Sequence, residues 1–123
     1  MKSVVALLLL IAPMSALALT DGEIAAEAAE KANNEWFPDS VKVKKTYDFK
    51  FFPGEEDTEY SRFGSICGKV DVYSSGKSAT LIIISDVEEE NGRALIGTPL
   101  LYDIERDPGP ARSALSKKCK SPR

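Results

Sequence analysis

The chain has 123 residues, with 16 Lys and Arg against 19 Asp and Glu, and no histidine. That length suits a single domain, and a mildly acidic balance argues against nucleic-acid binding, which needs a basic surface. The missing histidine removes the usual general base and the commonest metal ligand: Ser-His-Asp and Cys-His sites are excluded, and two cysteines alone cannot complete a zinc site of the usual kind.

The first eighteen residues read as a secretory signal peptide. Lys2 supplies the positive charge, Val4 to Ile11 run unbroken and apolar, Pro13 interrupts the helix, and Ala16-Leu17-Ala18 offers small residues for cleavage after Ala18. A membrane anchor is the competing reading, but a spanning helix needs about 20 apolar residues and this run is shorter and holds a proline. No cysteine near the cleavage point can carry a lipid. The expected working protein is residues 19–123, periplasmic or secreted, without a transmembrane segment and monomeric. Cleavage removes one base, Lys2, and no acid, so its net charge is −4.

In an oxidising compartment two cysteines most often pair, so Cys67 and Cys119 are expected to form a disulfide. The alternatives are a reactive thiol and an intermolecular bond.

Thr20-Asp21-Gly22-Glu23 has capping-box spacing and predicts the start of a helix running to about Glu35. Ala25, Ala28, Ala29, Ala32 and Trp36 recur at helical spacing, a narrow stripe of small side chains with Ile24 and Trp36 at its ends. Pro38 stops the helix. The period then changes: Val41, Val43, Tyr47, Phe49 and Phe51 alternate with Lys42, Lys44, Asp48 and Lys50, a half-buried first strand. Lys45 breaks the alternation, at a bulge or an edge. A second strand spans about Tyr60 to Tyr73, with Ile66, Val70 and Val72 on one face and Cys67, Lys69 and Asp71 on the other. Ser74-Ser75-Gly76-Lys77 is a turn. A third strand, Ala79 to Val87, carries Leu81-Ile82-Ile83-Ile84 without alternation, as a central strand covered on both faces does. Asn91-Gly92 suits a type I′ hairpin turn and sets Glu90 opposite Arg93. A fourth strand runs from about Ala94 to Ile104, with Pro99 marking an edge or a bulge, and Asp107-Pro108-Gly109-Pro110 ends it. A short helix follows from Ala111 to Cys119, then a basic tail of Lys117, Lys118, Lys120 and Arg123. The order predicts an α+β fold: an N-terminal helix on an antiparallel sheet of about four strands, a short C-terminal helix, and one disulfide tying that helix to the second strand.

Two acidic clusters are candidate docking surfaces: Glu55-Glu56-Asp57 between the first two strands, and Glu88-Glu89-Glu90 before the Asn-Gly turn. The bland reading is that both are solvated hairpin ends that keep the protein soluble. As a calcium loop starting at Asp86 the second cluster fails, with Asn91 in the glycine slot and Gly97 where a bidentate Glu belongs. Trp36 is either an exposed binding anchor or a cap on the core. Lys42, Lys44 and Lys50 form a polar strand face that either meets an anionic surface or is merely solvated. Carboxylate pairs capable of glycoside hydrolysis arise by chance among 19 acids, so they specify nothing.

Phe37-Pro38-Asp39-Ser40-Val41 after a helix, Ile66-Cys67-Gly68-Lys69-Val70 on a strand, and a late Cys119 resemble a group of small exported bacterial proteins with no established activity. The resemblance implies a Gram-negative periplasmic setting and a disulfide, and no catalytic residue. The chain departs from that group after Val70, where Asp71-Val72-Tyr73-Ser74-Ser75-Gly76 replaces an Asn-rich turn. The expected function is non-enzymatic binding of a protein partner, as an inhibitor or accessory factor of the envelope, with no cofactor and no metal. The alternative is a small-ligand carrier with a pocket lined by Tyr47, Phe49, Phe51, Leu81 and Ile83.

Overall fold

The structure, a computed structural model, describes residues 19–54 and 61–120. The signal segment 1–18, the Glu55-Glu56-Asp57 cluster, Tyr60 and the end of the basic tail lie outside the described residues. The elements are α1 (Asp21–Asn34), β1 (Lys42–Pro53), β2 (Ser61–Ser74), β3 (Lys77–Glu90), β4 (Arg93–Ile96), β5 (Leu100–Asp103) and α2 (Pro108–Lys118).

The capping box forms as the sequence predicts. The Glu23 backbone N–H donates to Thr20 Oγ1 at 3.1 Å, and the Thr20 N–H donates to Glu23 Oε1 at 2.9 Å. The Thr20 N–H foremost, then the Thr20 side chain, hold the Glu23 carboxyl below its ordinary range. The helix ends at Asn34, ahead of Pro38, and the N–H groups of Glu35 and Trp36 both turn back to the Lys31 carbonyl.

The strands pair antiparallel in the order β1-β2-β3, and both β4 and β5 lie on the far side of β3. Ile24, Ala25, Ala28 and Ala32 bury the stripe of α1 against Phe51, Ile66, Val70, Val72, Ile83 and Val87. Alanines let the helix axis sit close to the sheet, so the larger apolar residues come from the strands. Fully burying each Ile, Val or Phe among them contributes about 1.5–3 kcal/mol. The alternate residues Cys67, Ile82 and Ile84 face the other way, where Ala111, Ala114, Leu115 and Cys119 of the α2 region cover them with Phe52 and Tyr102. β3 is therefore sandwiched between two helices, which is why its run of isoleucines does not alternate.

Both tight turns form where the sequence predicts them, and the Asn91-Gly92 turn is of the expected type. Ser75 and Gly76 have φ 52° and 77°, and Asn91 and Gly92 have φ 54° and 80°. Positive φ at both central positions is the type I′ geometry that matches strand twist.

Three sequence expectations need correction. First, β1 carries the bulge expected at Lys45, between Val43 and Lys45, and a second, unexpected one between Tyr47 and Lys50. Asp48 takes φ 56° at the second, a conformation Asp tolerates better than most residues. The first bulge turns Tyr47 to the α2 face, paired with Lys69, and the second returns Phe49 and Phe51 to the side under α1. The Tyr47-Phe49-Phe51 ladder is thus split between the two faces. Second, the fourth strand is two strands. Gly97, Thr98 and Pro99 stand opposite only Ser85 and Asp86 of β3, one residue too many for a continuous ladder. Ser85 Oγ donates to the Gly97 carbonyl at 2.6 Å, and the Gly97 N–H donates to the Asp86 carbonyl at 2.9 Å, which fixes the bulge. Third, Pro108 begins α2 instead of ending a strand, since a proline in the first turn forfeits no hydrogen bond.

Candidate interaction surfaces

The Cys67–Cys119 disulfide joins the middle of β2 to the C-cap of α2, with a Cα–Cα separation of 6.0 Å. This is the expected pairing, and it is compatible with an oxidising environment. The bond clamps the helix onto the sheet face it covers. A shallow trough of about 320 Å³ runs beside it, lined by Lys50, Phe52, Lys69, Leu115 and Cys119 among others.

At the other end of the sheet, the acidic triplet has three different fates. Glu90 is exposed and pairs in register with Arg93. Glu88 is half-buried opposite Leu95. Glu89 is buried, its side chain 3% exposed. Alternation alone explains this, because Glu89 shares the α1 face with Ile83 and Val87. Its carboxylate accepts from Arg62 Nε at 3.2 Å and from the Gly92 N–H at 3.1 Å, so it closes the hairpin from inside. Arg62 also donates to Asp21 Oδ1 at 2.8 Å and to the Leu19 carbonyl at 2.6 Å, and its guanidinium lies 5.4 Å from the Phe51 ring centre. The Asp21 bond above all, then Glu89, raises the Arg62 pKa above its ordinary value. One arginine thus links the start of α1, β2 and the hairpin. Its role was signalled in the sequence by parity: Arg62 shares the face of Ile66 and Val70, where a charge must find a partner.

Trp36 is half-buried and packs against both halves of the core under α1. Of the five side chains expected to line a ligand pocket, Phe49, Phe51, Leu81 and Ile83 pack into that same core, and Tyr47 points away from it. The Tyr47 hydroxyl donates to Asp71 Oδ1 at 3.0 Å, and Thr80 Oγ1 donates to the same oxygen at 2.8 Å. The bond from Thr80 chiefly, then Tyr47, lowers the Asp71 carboxyl, and the bond to Asp71 raises the tyrosine.

The β4–β5 edge is a surface the sequence did not single out. Leu95, Leu100 and Leu101 are 61%, 58% and 43% exposed there. Beside it, between α1 and β4, lies a groove of about 440 Å³ lined by Glu27, Lys31, Val87, Glu88, Ala94 and Ile96 among others. Glu27 and Glu88 thus stand beside Leu95 and Ile96, and Glu90 follows two residues after Glu88 on the same strand face. Among the described residues, no group of three or more acidic or cysteine side chains is placed to hold a metal ion, and no helix is long and apolar enough to cross a membrane. No protein-family model, curated protein or solved structure matches this chain.

Proposed function

We propose that the protein is an exported, non-enzymatic binding module whose docking surface is the β4–β5 edge, and that its occupant is a protein segment pairing apolar side chains with basic ones. The observation that carries this reading is the exposure of Leu95, Leu100 and Leu101 along a strand edge that, among the described residues, pairs only with β3. Edge strands are usually blunted with lysine or covered, because unpaired backbone groups and apolar side chains recruit another chain. Here Pro99 and the adjoining bulge break the edge into two short pieces, which limits self-pairing but leaves four-residue lengths for a partner strand. Glu88 and Glu90 flank the strip and supply the charge that selects a basic partner and orients it. Glu89 is excluded from this role by its bond to Arg62.

Export is part of the proposal. It rests on the 1–18 segment and on a disulfide that needs an oxidising compartment.

The test is affinity capture from the native envelope with oxidised residues 19–123 as bait, run beside Leu95→Asp/Leu100→Asp and Glu88→Lys/Glu90→Lys. A stoichiometric partner lost with the leucine pair and weakened by the charge pair supports the reading. A partner captured equally by all three baits overturns the edge as the docking surface.

A further inference from the structure

The bulge at Lys44 has a second effect. In a regular strand two successive side chains point to opposite faces. The extra residue at Val43/Lys45 sets Lys44 and Lys45 on the same face, which their contacts show: Lys44 Nζ stands 5.4 Å from the Tyr73 ring centre and Lys45 Nζ 5.0 Å from the Tyr47 ring centre. Lys50, over Phe52 at 5.2 Å, and Lys69 share that face. With Lys42, opposite Tyr73, five ammonium groups line the β1–β2 part of the α2 face. Lys42 to Lys50 spans about 25 Å of strand.

The local countercharges are outnumbered by the lysines: Asp71 lies near Lys44 and Lys45, and Asp48 near Lys69. Asp71 is held by Tyr47 and Thr80, and Asp48 reaches Lys69 at 3.8 Å. Among the described residues, Lys42, Lys44, Lys45 and Lys50 have no carboxylate at ion-pair distance, in a chain of net charge −3. The ring contacts restrict the side chains of Lys44, Lys45 and Lys50, so less freedom is lost when an anion arrives.

We propose that this face binds a linear acidic polysaccharide laid along β1. The relief favours a chain over a plane. Leu115 and Cys119, at the end of α2, form one wall of a trough that Lys50, Lys69 and Asp48 also line. The charges are strung along one axis, as they are on a polyuronate or a sulfated glycan, and the acid-bearing depression beside Lys44, lined by Asp71 and Glu105, is no cage for a single small anion. The site is on the sheet edge opposite β4–β5, so it is independent of the partner surface proposed above.

The test is titration of the full exported chain with alginate oligosaccharide and with dextran sulfate, at low salt and at about 0.5 M salt, where screening is strong. Binding should fall steeply with salt. It should weaken at least about tenfold in Lys44→Gln/Lys45→Gln/Lys50→Gln, each lysine near an anionic surface being worth roughly fivefold. It should hold in the charge-matched Lys31→Gln/Arg93→Gln/Arg106→Gln. Amide shifts on the unaltered protein should map to β1 and Lys69, a readout that stands if the lysine variant fails to fold. No binding, equal loss in both variants, shifts mapping to another surface, or binding to anionic vesicles alone overturns the proposal. A lysine variant that only aggregates, while the unaltered protein ignores both polymers, assigns the lysines to edge protection.

Discussion

Arg62 and Glu89 face each other across β2 and β3 with 3.2 Å between Nε and Oε1, the carboxylate buried and the guanidinium spanning to the first turn of α1. The pair sits where the hairpin end, the helix start and the core meet. It converts what looks like a solvated acidic patch into a tie between three elements.

Removing one partner should therefore cost more than removing both. Arg62→Met leaves Glu89 buried and uncompensated, and about 3 kcal/mol of stability should be lost. Arg62→Met/Glu89→Met should recover much of that, since a buried pair replaced by apolar groups of similar volume is often near neutral. Urea unfolding of the four-membered cycle measures the difference. Losses that simply add would show that the two side chains act separately.

The disulfide should matter most to α2. Cys67 and Cys119 are 52 residues apart, and the chain-entropy model assigns such a closure about 4 kcal/mol. Cys67→Ser/Cys119→Ser should lower the melting temperature and speed amide exchange first across residues 108–118, because few other large side chains hold that helix down. Uniform protection of α2 in the double variant would show that its packing suffices.

Gly68 lies under Phe49. A methyl group there would come about 2.5 Å from the ring, which would have to shift within the packed core. Gly68→Ala should destabilise by about 1–3 kcal/mol through overpacking. Phe49→Leu added to it should cost less than the two changes measured singly, because the shorter side chain clears the site. Calorimetry of the three variants decides.

Asp71 gives the stability a pH dependence of known sign. Its carboxyl is held below the ordinary range by Thr80 and then Tyr47, so its contribution is complete above the ordinary carboxyl pKa and is lost as pH falls through the lowered value. Tyr47 is raised by the same bond, so its contribution is lost only as pH rises through that raised value. Tyr47→Phe/Thr80→Val should flatten the acid limb of a melting-temperature profile from about pH 5 downward, by a small amount because the site is open to solvent. An unchanged acid limb would place the acid sensitivity elsewhere, with Glu23 at the helix cap the next group to test.

Much of this architecture is readable where local chemistry decides. Thr20 and Glu23 write the helix start, Asn91-Gly92 and Ser75-Gly76 write the turns, and the isoleucines of β3 announce a strand covered twice. What escapes is set by neighbours. The reversal of Tyr47 depends on an extra residue opposite β2, and the break at Pro99 depends on how many residues of β3 stand across from it. The burial of Glu89 follows from strand parity once the Asn-Gly turn fixes the register. Its partner Arg62 comes from a strand 27 residues away. Exposure of Leu95 and Leu100 is a property of the edge position, which composition does not encode.

The closure at Cys119 also orders the birth of the molecule. The α1 side of the sheet can assemble from residues 19–96, but Ile82 and Ile84 stay uncovered until α2 arrives and the last cysteine is oxidised. A newly made chain therefore passes through a stage with one finished face and one sticky one.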